Sequence, residues 1–169
     1  MRAFALGAAL TFASLVSARN ASAQQFQPAA VAELSSGVEG GGSATSAGIR
    51  RARTTLRLGG ELRLDEAPRE AWGVAALIEV EPHTAFGADF TYAHALGQRF
   101  RVHAGAVVFV WPGTLIGPSI GLQMNLMKPT APMRFVVGPV VQAFVLGQDL
   151  PSDQVLVQGL LRFGLHADL

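Results

Sequence analysis

The last sixteen residues, QVLVQGLLRFGLHADL, separate into two lines when read alternately. Val155, Val157, Gly159, Leu161, Phe163, Leu165, Ala167 and Leu169 carry neither charge nor polar side chain. The other line holds Gln154, Gln158, Arg162, His166 and Asp168. A period of two marks an extended strand with unlike faces, and a helix does not produce it. The rhythm recurs along the chain. Leu56, Leu58, Leu62 and Leu64 oppose Arg53, Arg57, Glu61, Arg63 and Asp65. Trp72, Val74, Ala76, Ile78 and Val80 oppose Gly73, Ala75, Glu79 and Glu81. Phe86, Ala88, Phe90 and Tyr92 oppose Gly87, Asp89, Thr91 and Ala93. Phe100, Val102, Ala104, Ala106, Val108 and Val110 oppose Arg101, His103 and Gly105. Ile116 to Leu126 opposes Gly117, Ser119, Gly121, Gln123 and Asn125, and Phe135 to Val145 opposes Arg134, Gly138 and Gln142.

With the closing segment these make seven strands. QPAAVAELSSGV, over 27–38, is read as an eighth, first in order, with Ala30, Ala32 and Leu34 on its apolar face. EGGGSATSAG follows and reads as a loop, because glycine and serine dominate it. EAPRE, EPHT, GQR, WPGT, KPTAP and GQDLPSDQ are the other connections, each short and each carrying Gly or Pro. Sequential strands with short links predict antiparallel neighbours in an up-and-down order.

The start of the chain reads as an export signal: Arg2, the apolar run Ala3–Val16, and the small-residue site Ala21-Ser22-Ala23. Cleavage there predicts a mature domain of residues 24–169, 169 − 23 = 146 residues, enough for one domain. Removing Arg2 and Arg19 leaves 13 − 2 = 11 basic against 12 acidic residues. A chain so near neutrality has no field to recruit nucleic acid. The chain has no cysteine, which excludes thiolate metal sites and thiol catalysis. Lys128 is the only lysine.

The alternation alone does not say which face meets water; the make-up of the polar face does. That face is rich in Gly59, Gly73, Ala75, Gly87, Gly105, Gly117, Ser119, Gly121, Gly138 and Gly164. Glycine on a water-facing strand weakens it without gain. Inside a narrow barrel, small residues make room for large charged ones. The strands are also long enough to cross a bilayer at a tilt. The expected fold is therefore all-β: an eight-stranded antiparallel up-and-down transmembrane β-barrel, apolar outside and polar within.

In this pattern the chain resembles the small eight-stranded outer-membrane β-barrel proteins of Gram-negative bacteria. The resemblance covers residues 24–169 and rests on strand count and patterning. It implies export to the outer membrane, contact with its lipid, termini on the periplasmic side and a monomer. It also implies that the barrel-assembly machinery reads the last strand, where Leu169 replaces the usual aromatic residue.

The expected lumen charge network comprises Arg53, Arg57, Glu61, Arg63, Glu79, Asp89, Arg101, His103, Arg134 and Arg162. In eight strands such groups fill the interior and must pair. A plugged or very narrow lumen and a structural or surface-interaction role without catalysis are the reading. The alternatives are a narrow pore, a lipid-modifying enzyme and a secreted soluble lipid-binding barrel. For the enzyme the candidates are Asp89, His103 and Ser119; hairpin counting puts Asp89 and Ser119 near one level and leaves His103 about 10 Å away along a strand. The four histidines, His83, His94, His103 and His166, have no metal-ligand spacing, and no cofactor is expected. Trp72, Tyr92, Phe100, Trp111 and Phe135, near strand ends, read as an interfacial aromatic girdle. Arg50 and Arg51, beside the first loop, are a possible lipopolysaccharide contact at the rim.

Overall fold

The computed structural model describes residues 26–43, 46–51, 54–64, 67–81, 84–128, 131–148, 150 and 155–169. It carries no description of the side chains of residues 42, 43, 46, 47, 50, 51 and 81. The strands in chain order are β1 (Phe26–Ser43), β2 (Ser46–Arg51), β3 (Thr54–Leu64), β4 (Ala67–Glu81), β5 (Ala85–Ala95), β6 (Phe100–Trp111), β7 (Leu115–Asn125), β8 (Met133–Phe144), β9 (Leu146–Gly147) and β10 (Val155–Asp168). β2 and β3 pair in succession with β1, and β8 and β9 with β7, so ten segments make eight staves. Every pairing is antiparallel between chain neighbours, except the last. β1 pairs with β10 from Ala29↔Asp168 to Gly42↔Val155 and closes the barrel. Closure leaves these backbone groups paired on both sides, which is the condition for strands in a medium without water.

Two expectations about connections are corrected. EGGGSATSAG is not a loop: β1 continues through Ser43 and β2 begins at Ser46. The glycine run is held from both sides, with Gly40, Gly41 and Gly42 facing Val157, Leu156 and Val155 on one edge and Ile49, Gly48 and Ala47 on the other. Backbone pairing needs no side chain, so composition misread this hairpin. EAPRE is largely strand: β4 starts at Ala67, and the register slips between Arg63 and Leu64 to absorb Pro68, Arg69 and Glu70. At the other hairpins the turn is local. Gly97, with φ of 125°, reverses the chain between β5 and β6, where Leu96 N donates to Phe100 O at 2.8 Å.

The two faces fall as the alternation predicts. Trp72 is 58% exposed, Phe135 55% and Leu161 55%, all on the outer wall. Glu33, Arg57, Asp89, Gln142, Arg162 and His166 are buried inside. In β1, Ala30, Ala32 and Leu34 share the outward face, while Val31, Glu33 and Ser35 are buried. A soluble barrel has the reverse arrangement. Two outer aromatic pairs mark the ends of the apolar wall. Trp72 and Tyr92 lie 4.8 Å apart toward the rim where β1 starts and β10 ends, here the terminus side, and Phe86 and Trp111 lie 5.7 Å apart at the loop end. From Phe100 to Trp111 β6 advances eleven residues. At ~3.3 Å per residue and ~45° of tilt this is about 26 Å of height, the thickness of a barrel's apolar band.

Candidate functional site

Among the described residues the polar side chains gather in the lumen, which has two layers. In the half nearer the termini, Glu33 is the hub. Its Oε2 accepts from Arg57 Nη1 at 2.7 Å; its Oε1 accepts from Gln123 Nε2 at 2.7 Å and lies 2.9 Å from His166 Nε2. Arg57 also donates to Asp89 Oδ2 at 3.1 Å and to Thr91 Oγ1 at 3.0 Å. Arg162 lies 3.6 Å from both Glu33 and Asp89. Two carboxylates and two guanidinium groups thus form a balanced quartet. Each of its members sits on a different strand: β1, β3, β5 and β10.

His166 carries the chain of contacts onward, with Nδ1 3.7 Å from Glu61. Glu61 accepts from Arg101 at 3.1 Å and lies 4.0 Å from Arg63. Arg63 reaches Asp168 at 3.3 Å, and Arg134 bonds the same carboxylate. Charges taken from water are tolerated only when paired and hydrogen-bonded. This continuous chain pairs its charges across the barrel's width, and Arg63 Nη2, Asp89 Oδ1, Arg134 Nε and Arg162 Nε are left without a hydrogen-bond partner among the described residues. Its geometry is made by missing side chains. A Cβ at Gly164 would lie 2.5 Å from Glu33 Cγ, one at Gly73 2.6 Å from Thr91 Oγ1, and one at Gly121 2.5 Å from the His103 ring. These three inner-face glycines are seats for the polar side chains opposite them, whereas a Cβ at Gly59, Gly87, Gly105, Gly117 or Gly138 would meet a backbone carbonyl of the neighbouring strand. Gly164→Ala is expected to displace both Glu33 and the Ala32 carbonyl, which lies 2.5 Å from the same position. The expected cost is ~1–3 kcal/mol, the range for overpacking, read as a lower urea midpoint in detergent micelles.

The loop half of the lumen is mixed rather than polar throughout: Gln158 donates to the buried Glu39 at 2.9 Å and Glu79 is fully buried there, beside an apolar layer. Leu77, Ala85, Val107, Phe109, Leu115, Phe144 and Leu156 form one buried apolar cluster, with Leu150 packed against it. Phe109 and Phe144 meet with ring centroids 5.9 Å apart. The layers join where Arg57 stands opposite Leu77 and Asp89 opposite Val107.

Of the ten expected network residues, the structure links Arg57, Glu61, Arg63, Asp89, Arg101, Arg134 and Arg162. Glu79 is fully buried on β4, opposite Thr55. His103 is buried, but its Nε2 finds no hydrogen-bond partner among the described residues. Arg53 lies outside the described residues, as do the side chains of Arg50 and Arg51. Glu33, Gln123 and His166 were not among the ten, and Glu33 is the group the others converge on.

The three candidate catalytic groups do not assemble. Asp89 is engaged by Arg57, and among the described residues neither Ser119 Oγ nor His103 Nε2 has a hydrogen-bond partner. Ser119 faces Gly105 and Gln142, whereas His103 lies over Gly121. A nucleophile needs its base within hydrogen-bond reach. Among the described residues no group of His, Asp and Glu is placed to hold a metal ion.

A closed eight-stranded antiparallel barrel, apolar outside and charge-paired within, defines the fold class as that of the small outer-membrane β-barrels. No family model matches the chain, and no curated protein matches it. Among solved structures, the chain is similar to the crystal structure of Neisserial surface protein A, with a TM-score of 0.50. The match covers 88% of this chain and 100% of that chain at 10% sequence identity, and so bears on the fold alone.

Proposed function

We propose that this chain is a non-catalytic outer-membrane barrel whose lumen is sealed, serving a structural or surface-interaction role. One observation carries the reading: the lumen is filled by two stacked layers, the Glu33-centred network and the Phe109–Phe144 cluster. Neither solute nor ion crosses without dismantling both. The apolar outer wall, the reading of residues 1–23 as an export signal and the fold shared with a Neisserial surface protein support the membrane location. In this reading the termini face the periplasm, β10 presents the strand that the assembly machinery reads, and the connections at 44–45, 82–84, 112–114 and 148–154 face outward. These are short, which favours recognition of lipid or of the rim itself over a large protein footprint. Arg50 and Arg51 of β2 belong to that end and are proposed as lipopolysaccharide contacts.

The test is folding followed by electrical recording. The full chain is expected to fold only with detergent micelles, to migrate as a heat-modifiable band, and to give no discrete conductance steps in planar bilayers. Regular steps would overturn the sealed lumen in favour of a pore. A chain that folds in plain buffer would overturn the membrane location.

A further inference from the structure

The outer wall is not uniformly filled. A groove of about 430 Å³ crosses it, with Leu126 and Phe135 at one end, Phe163 and Leu165 along it, and Leu34 and Leu56 at the other end. Among its outward-facing lining residues Ala32 alone is small, so the larger side chains stand around a gap. The lining is almost wholly apolar. Each strand it crosses is already paired on both edges: β8 with β7 and β10, β10 with β1, and β1 with β3, which also pairs with β4. No extended peptide can add to the sheet here.

The direction of the groove follows from the register. The row of lining residues perpendicular to the strands runs Val137↔Phe163, Phe163↔Leu34 and Leu34↔Leu56. Val137 is the fifth residue of β8, while Leu56 lies eight residues before the end of β3. The row therefore climbs away from the terminus-side rim. Three inter-strand steps of ~4.8 Å give about 14 Å of groove, and at ~45° of tilt a rise of about 10 Å. That is most of one leaflet of a ~30 Å hydrocarbon core. The low end opens at Leu126, in the turn that continues to Lys128 two residues on. Lys128 is exposed, and its carbonyl accepts from Ala131 N at 3.0 Å, which fixes the turn. The only lysine of the chain thus stands at the water-side mouth of an apolar groove that rises toward the bilayer midplane.

We propose that a glycerophospholipid of the leaflet on the side of the chain termini seats one acyl chain in this groove and sets its phosphate beside Lys128. The inference rests on the membrane reading above and adds a specific lipid site to it. Ala32→Phe fills the groove without altering the lumen face. Lys128→Glu acts outside every strand, so it leaves folding intact.

The experiment titrates phosphatidylglycerol or phosphatidylcholine into the detergent-folded full chain and counts retained lipid by native mass spectrometry. The wild type is expected to retain one phosphatidylglycerol molecule preferentially. Ala32→Phe is expected to weaken that retention about tenfold for both lipids. Lys128→Glu is expected to abolish the preference for the anionic lipid while leaving phosphatidylcholine retention in place. Retention unchanged by Ala32→Phe overturns the acyl site, and a preference unchanged by Lys128→Glu overturns the headgroup contact. If Ala32→Phe loses its heat-modifiable band, Leu34→Trp replaces it at the far end of the groove with the same expectation. A chain that needs no detergent to fold overturns the membrane reading itself, a result separate from either lipid outcome.

Discussion

Glu33→Ala is expected to destabilise the folded barrel by ~3–5 kcal/mol, the cost of removing one partner from a buried charge cluster. The carboxylate is 2% exposed and holds Arg57 at 2.7 Å, Gln123 at 2.7 Å and His166 at 2.9 Å. Truncation leaves two arginines, Arg57 and Arg162, with Asp89 as their shared counter-charge. It also leaves the Gln123 amide only its longer contact to the His166 ring, at 3.5 Å. The measurement is urea unfolding in detergent micelles, followed through Trp72 and Trp111, with an unchanged slope required for the comparison. Glu33→Gln is expected to cost less, because it keeps an acceptor oxygen while removing the charge. Pairing Glu33→Ala with Arg57→Ala is expected to cost less than the sum of the two, since the second change removes the charge that the first strands. A loss below ~1 kcal/mol for Glu33→Ala would show that water replaces the carboxylate and that the network is wet.

The outer wall was the most legible part of the molecule, for a physical reason. A lipid-facing line must be apolar at every second residue, so the sequence carries the demand locally. The lumen makes no such local demand. Glu33 was missed because 27–38 was read through Ala30, Ala32 and Leu34 alone. The alternate residues Val31, Glu33 and Ser35 were available as an inner line. The convergence of Arg57, Asp89 and Arg162 on one spot was not legible, because the tilt of the strands decides which inner residues share a height. The apolar half of the lumen did leave a signal. Leu77, Val107, Phe109, Phe144 and Leu156 break the alternation toward the loop ends of their strands. Where both lines turn apolar, a strand is covered on both faces. The glycines were assigned to the correct face, but their pairing with Glu33, Thr91 and His103 needed coordinates.

Phe144→Ala is expected to cost ~3–5 kcal/mol, the range for truncating a fully buried phenylalanine. Phe144 is 0% exposed, meets Phe109 with centroids 5.9 Å apart, and stands opposite Leu156 in the register. The strands around it are fixed by pairing on both edges, so the site cannot collapse onto the vacated volume. Conductance separates the two layers. Phe144→Ala, alone or with Phe109→Ala, opens only the apolar layer, and the Glu33 network still blocks the path toward the termini. Neither variant is therefore expected to show discrete steps in planar bilayers. Adding Glu33→Ala removes the hub of the second layer, and a narrow conductance is then expected to appear. The order matters because the layers are in series: each is sufficient to stop an ion, and neither reveals itself while the other stands. Steps from Phe144→Ala alone would mean that the polar layer is permeable to ions and that the aromatic cluster is the whole seal. An unfolding midpoint unmoved by Phe144→Ala would mean that the loop half is already loosely filled, and the seal would then rest on the charge network.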